Sequence, residues 1–219
     1  MICYNFVMVW EDFIPAEISE LYEVNDYKHA AAILANEFPR EFKEICDALL
    51  KFKLTMADVK EAGGNESKIP KKFSKILREL GWEEKSLTAK VIVDDSEVSH
   101  NSHKVDYIKN RVAFDLEWNS KDQTFDRDLY AFRAFFEYDK ISVAVLVTRS
   151  NELDPWFHSL GEYVDKYGSK RKYSAKYGAS TTHMGKLIPR LNAGRSGGCP
   201  VLVFGITTKL LKQGEEANE

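Results

Sequence analysis

Cysteine is scarce. The 219-residue sequence has three, Cys3, Cys46 and Cys199, far apart and with no CxxC pair. An odd, scattered set argues against a disulfide framework or a thiolate zinc site, so each is expected to be a small core residue. Long apolar runs are missing too. The first ten residues, MICYNFVMVW, are apolar, but Glu11 and Asp12 follow at once and no basic segment precedes them. That is too short for a membrane span and lacks a signal peptide's cleavage pattern. It reads as a buried strand of a cytoplasmic protein with no membrane partner. No internal repeat or low-complexity tract divides the chain, and the length suits one domain over 1–219. Gly194, Gly197 and Gly198 lack the lysine and hydroxyl residue of a phosphate loop and read as a helix stop and turn.

One absence is local. Between Lys166 and Gly214 there is no Asp or Glu, although the whole chain has a net charge of −3. The same stretch holds Lys166, Lys170, Arg171, Lys172, Lys176, Lys186, Arg190, Arg195, Lys209 and Lys212. A basic segment in an acidic protein fits a surface for a polyanion; charge alone fits a solvated loop equally well.

What is present is an alternation of helical and extended patterns. Residues 26–52 place Ala30, Ala31, Ile33, Leu34, Phe42, Ile45 and Leu49 at helical spacing, and Pro39 splits them into two helices. EAGGNESK (61–68) reads as a loop, and a short helix from about Pro70 to Leu80 ends at Gly81. Residues 87–93 and 104–118 read as strands. Residues 125–138 read as a helix whose stripe is Phe125, Leu129, Phe132 and Phe136, widened by Phe135. ISVAVLVTR (141–149) and PVLVFGI (200–206) read as buried strands. Between them, a basic loop with several tyrosines (166–179) precedes a helix from His183 to Ala193. The class is α/β, with a mixed central β-sheet flanked by helices.

The chemistry-bearing pattern is Asp106, nine residues, Asp115, one residue, Glu117. Val112, Phe114, Leu116 and Trp118 alternate with Arg111, Ala113, Asp115 and Glu117, so the two acids share a strand face. A turn at Lys109-Asn110 would return Asp106 near Ala113, on the face of Asp115. Carboxylate oxygens suit a hard cation such as Mg2+, which polarises a phosphate, lowers the pKa of bound water and stabilises a leaving oxygen. Glu117 would stand beside that water as a base or orienting group. Clustered carboxylates repel one another, so a purely structural sheet has little cause to gather them. The spacing by itself also fits solvent-facing acids on an edge strand. His100 and His103 read as polar residues at a strand entrance, and His29 and His158 have no evident partner.

VDYIKNRVAFDLEW (105–118) resembles the active-site hairpin of type II restriction endonucleases of the BglII and BstYI kind, in the PD-(D/E)xK nuclease superfamily. The likeness continues through YKHAAAILANEFPREFKEICDALLKF (27–52), FSKILRELGW (73–82), DKISVAVLVTR (139–149) and CPVLVFGI (199–206), in the family's order. It covers most of the chain and implies a PD-(D/E)xK fold with a catalytic hairpin at 104–118. Asp106 then matches the first metal-binding Asp. Asp115 takes the second acidic position, usually Glu in such relatives. Glu117 stands where they have Gln, where most of the superfamily has Lys and where the BamHI group has Glu. The implied metal ligands are Asp106, Asp115 and the main-chain carbonyl of Leu116. Pro70 replaces an Asn near the family's active site, with Glu66 or Ser67 as candidate substitutes.

The resemblance also implies that segments before helix N-termini face the DNA major groove. These are Asn119, Ser120 and Lys121 before the aromatic helix, and Ser180, Thr181, Thr182 and His183 before the 183–193 helix. Amides and hydroxyls bond base edges, and Lys donates to guanine; N-capping is the other use of the Ser/Thr run. The basic loop over 166–182, with Lys170, Arg171, Lys172 and Lys176, would hold phosphates above Tyr167, Tyr173 and Tyr177. The same likeness implies a homodimer, with part of the aromatic helix in its interface. It would cut double-stranded DNA with Mg2+ at a short palindrome with a GATC core, leaving 5′-phosphate and 3′-hydroxyl ends. A cognate DNA methyltransferase is expected in the host, not as a physical partner. Glu117 in place of Lys leaves open a non-cleaving DNA-binding protein; a repair nuclease on the same scaffold is a further alternative.

Overall fold

The computed structural model describes residues 9–60, 68–87, 89–93, 96–100, 104–165 and 167–211, with the backbone alone for 89–93 and 96–100. The chain begins with α1 (Ala16–Leu21), β1 (Tyr22–Tyr27), α2 (Ala30–Glu37), α3 (Pro39–Lys51), α4 (Met56–Lys60) and α5 (Lys68–Glu79). It continues through β2 (Glu83–Ser86), β3 (Ala89–Val93), β4 (Ser96–His100), β5 (Lys104–Lys109), β6 (Val112–Glu117) and α6 (Thr124–Glu137). Then come β7 (Val143–Arg149), α7 (Leu153–Ser159), β8 (Glu162–Val164), β9 (Lys170–Lys172), α8 (Tyr173–Lys176), α9 (Met184–Asn192) and β10 (Val201–Ile206).

Six strands form one sheet in the order β1-β10-β7-β6-β5-β2. The β6–β7 and β7–β10 pairs are parallel; β1–β10, β5–β6 and β2–β5 are antiparallel. This is the mixed α/β sheet that the alternating patterns predict. β6, β7 and β10 are buried along their whole length, as strands covered on both faces are. On one face Val112, Phe114, Leu116 and Trp118 pack with Val143, Val145, Phe204 and the apolar stripes of α3 and α5. On the other, Ala113, Ala144, Leu146 and Val203 pack against Phe125, Leu129, Phe132 and Phe135 of α6 and Leu187 and Leu191 of α9. Each fully buried phenylalanine of α6 contributes about 1.5–3 kcal/mol to that layer. Phe135, not Phe136, lies at the heart of the stripe.

The helices divide at Pro39 as expected, since its missing N–H costs nothing at the first helical position. α5 starts at Lys68, so Pro70 lies in its first turn, where N–H groups lack helical partners anyway. Gly81 follows with φ +83°, which favours glycine. The hairpin turn differs from expectation by one residue. Asn110 and Arg111 form the turn, Lys109 pairs with Val112, and Ile108 rather than Asp106 faces Ala113. Asn110 takes φ +50°, a left-handed conformation that Asn tolerates. Lys109 donates to both oxygens of Glu44 at 2.7 Å and Asn110 to Glu41, so α3 pins the hairpin tip.

Three elements depart from the sequence reading. Asp26 and Tyr27, read as the start of a helix, belong instead to the edge strand β1. Among the described residues, the strand expected at 87–93 pairs with β4 alone, outside the central sheet. The expected basic loop contains β9, which pairs with β8 just ahead of the loop, and a turn of helix. Trp10–Asp12 is a single 3-10 turn; the rest of the expected first strand, residues 1–8, lies outside the described residues, as do Cys3, the loop at 61–67 with Glu66 and Ser67, His103 and Lys166. The side chain of His100 lies outside them too. Cys46 and Cys199 are buried core thiols, each pushed up to about 12 by burial. No helix among the described residues is long and apolar enough to cross a membrane.

Candidate active site

The hairpin register brings Asp106 opposite Asp115. The Asp106 backbone N–H donates to Asp115 Oδ1 at 2.8 Å. Because cross-strand partners share a face, both lie on the α6 side of the sheet, with Glu117 two residues farther along β6. β6 is a central strand, so these are not edge-strand acids: Asp115 is 3% exposed and Glu117 8%. Asp106 opens onto solvent at the mouth of the group. Leu116, between the two acids of β6, turns its side chain into the opposite core.

A fourth carboxylate joins them from α6. Asp128 is 3% exposed and stands in the apolar stripe between Phe125 and Leu129. Its Oδ1 accepts from Arg127 Nη2 at 3.0 Å, and the same Nη2 lies 3.7 Å from Glu117 Oε1. The sequence signal that could have found it is an aspartate at a helical position otherwise occupied by core residues.

Desolvation acts on all four groups, and repulsion within the cluster on Asp115, Glu117 and Asp128. Burial pushes the Asp115 carboxyl well above the aspartate range; the charges of Asp128 and Asp106 add to this, and the bond from the Asp106 amide opposes it. Burial and the Glu117 charge push Asp128 up to about 8, against Arg127. Glu117 is raised by burial, against a hydrogen bond from Ser120 and the charge of Arg127. Asp106 is raised by desolvation, against Lys104 and Arg127.

The donor set fits a hard divalent cation. It offers only oxygen, its charges are incompletely compensated, and Asp128 Oδ2 is buried without a hydrogen-bond partner. Thr148, beside Glu117 in the β6–β7 ladder, likewise buries an unpartnered Oγ1. Among the described residues no three His, Cys, Asp or Glu side chains are gathered tightly enough to hold an ion by themselves. Protein carboxylates here would therefore share a cation with water or a phosphate oxygen, as magnesium sites usually do.

Beyond β6, the two segments singled out as DNA-reading lie side by side. Lys121 and Thr181 form an antiparallel bridge, Asp122 N–H donates to Ser180 O at 3.0 Å, and Thr182 N–H donates to Ser120 O at 2.9 Å. Lys121 and Ser180 are exposed, Asn119, Ser120 and Thr181 half-buried, and Thr182 and His183 buried. Neither Ser180, Thr181 nor Thr182 caps α9. Its cap residue is His183, and Asn151 supplies the oxygen from beyond β7, accepting from Gly185 N–H at 2.7 Å. The His183 ring contacts the same oxygen at 3.1 Å, and burial and Arg149 lower its pKa. Arg149, fully buried at the end of β7, holds the second segment from below. It donates to Asp154 Oδ1 at 2.7 Å, Tyr177 O at 3.0 Å and Thr181 Oγ1 at 2.7 Å.

The basic segment is not uniform. Lys170, Arg171 and Lys172 are exposed on β9, with Arg171 paired to Asp165 at 3.2 Å. Lys176 turns inward, donating to Val59 O at 3.0 Å and lying over the Tyr177 ring. Arg190 and Arg195 are bound to Asp126, so their charge is already answered. Tyr173 and Tyr177 are buried supports, whereas Tyr167 is 80% exposed.

A family model described as restriction endonuclease BglII/BglIII matches residues 22–206. The match runs from the first residue of β1 to the last of β10. No curated protein sequence matches the chain.

Proposed function

The chain belongs to the restriction endonuclease BglII/BglIII family, which makes it a restriction nuclease with DNA as its substrate, and we propose that its catalytic centre is Asp106, Asp115 and Glu117, working with Mg2+. The observation that carries this is the Asp106–Asp115 register on a central strand, with Glu117 on the same face. Asp106, Asp115 and the Leu116 carbonyl would hold the cation. When bound, it would lower the pKa of a water, polarise the scissile phosphate and stabilise the leaving oxygen. Glu117 would orient that water or take its proton; burial raises its pKa above the ordinary glutamate value, which makes it a stronger base.

The enzyme would cut both strands of a short palindrome with a GATC core as a homodimer, since twofold protein symmetry matches twofold DNA symmetry. Products would carry 5′-phosphate and 3′-hydroxyl ends. Exposed Tyr130 and Tyr138, at α6 and its end, support a dimer contact there. Asn119, Ser120, Lys121, Ser180 and Thr181 would form the base-reading surface, with buried Thr182 and His183 behind it, and Lys170, Arg171 and Lys172 the phosphate-binding flank, with inward-turned Lys176 supporting it. The setting would be the cytoplasm, with a cognate methyltransferase protecting host DNA.

Incubating the purified protein with a plasmid, with and without Mg2+, tests the reading. Discrete fragments only with the cation are expected. A gel shift without cutting would instead identify a non-cleaving DNA-binding protein, and smearing a nonspecific nuclease.

A further inference from the structure

Asp128 occupies a place where α6 needs no acid. Phe125, Leu129, Phe132 and Phe135 already seal the helix onto the sheet, all fully buried. A carboxylate withdrawn from water among them destabilises the fold unless its charge is fully met. Here it is met in part. Arg127 serves Oδ1 with Nε at 3.2 Å and Nη2 at 3.0 Å, while Oδ2 is buried with no partner.

The groups that do answer Asp128 belong to the candidate centre. The Arg127 nitrogen that bonds Asp128 also reaches Glu117 Oε1 at 3.7 Å. Arg127 Nη2 is thus a cation that Asp128, at 3.0 Å, and Glu117, at 3.7 Å, hold in common. Glu117 is the strongest charge acting on Asp128, and Asp128 the strongest acting on Asp115. A residue that only anchored a helix would not need this set of neighbours. Resting on the nuclease reading above, we propose that Asp128 is a positioning residue of the catalytic centre: with Arg127 it fixes the Glu117 carboxylate in one orientation beside Asp115. It is kept at the expense of stability, as misfit polar groups at working sites often are.

The near-isosteric Asp128→Asn variant tests this in the full-length protein, with plasmid cleavage in Mg2+ and thermal unfolding as paired readouts. The expected result is a kcat lower by roughly 100-fold, the scale of a slightly misplaced catalytic group. KM should be unchanged and the thermal midpoint equal to or above that of wild type. Wild-type kcat would overturn the proposal, as would a loss matched by a falling midpoint. A second measurement does not depend on turnover. Glu117→Gln and Asp128→Asn should each raise the midpoint, and the double variant by less than their sum, because both relieve one repulsion. Additive shifts would overturn the coupling. If Asp128→Asn does not fold, exposed Arg127→Gln removes the same hold, and unchanged cleavage by it overturns the proposal. A wild-type protein that does not cut refutes the nuclease reading and this inference with it. A cutting wild type beside an equally active variant refutes the inference alone.

Discussion

The backbone amide of Asp106 donates to the carboxylate of Asp115 across the β5–β6 hairpin, at 2.8 Å. One acid is therefore held by the main chain of the other. The placement of Asp115 depends on hairpin register and not on the Asp106 side chain.

Asp106→Asn should accordingly keep the fold and the position of Asp115 while abolishing magnesium-dependent plasmid cleavage. Asp115→Asn should abolish cleavage too and raise the thermal midpoint, because it removes a buried charge crowded by Asp128 and Asp106. Wild-type cleavage by either variant would place the centre elsewhere.

Stability without divalent cations should fall as pH rises through about 8. Asp128 titrates near there when folded and near the ordinary aspartate value when unfolded. Between those values the folded state binds more protons, so raising the pH favours unfolding. Asp115, Glu117 and Asp106 are shifted the same way. His183, with its lowered pKa, acts oppositely but only around and below its ordinary range. Thermal midpoints should decline as pH rises from the ordinary aspartate range to about 8 and level off above it, and Asp128→Asn should flatten that decline; parallel slopes would contradict it.

Lys170, Arg171 and Lys172 present their charge to solvent, with only a surface pair at Arg171 that is worth at most about 1 kcal/mol. Replacing all three with Gln should leave the thermal midpoint unchanged. If they touch phosphates, DNA affinity should fall and its salt dependence should lose a slope of about 1 per contact. An unaltered slope in titrations at several salt concentrations would return them to the role of a solvated hairpin.

Arg149→Leu should destabilise the protein by about 2 kcal/mol or more, since it strips buried donors from Tyr177 O and Thr181 Oγ1. The loosened 177–183 segment should also lose discrimination between DNA sequences. Chemical denaturation and competition binding measure the two effects separately.

The legible parts of this fold are those set by local spacing. Alternation along 112–118 places the acids of β6 on one face, and Pro39 divides two helices, because both act within a few residues. The hairpin turn lies one residue later than its sequence expectation, which moves the cross-strand pairing by two and keeps the acids on one face, since Asn110 tolerates the left-handed conformation there. β1, YEVNDY, carries little apolar signal because it is an edge strand whose pairing with β10 is remote in sequence. Asp128 escapes a sequence reading for a related reason. Its helix reads as a plain core helix until Glu117, eleven positions earlier, is brought against it.

The bridge between 120–122 and 180–182 is made by main-chain atoms alone, through the amides of Asp122 and Thr182 and the carbonyls of Ser180 and Ser120. Any residue other than proline at positions 122 and 182 preserves those bonds. Side chains along both segments are thereby released from holding the segments together. If the two segments read bases as proposed, their side chains could change one by one while the main-chain bridge stayed fastened beside β6.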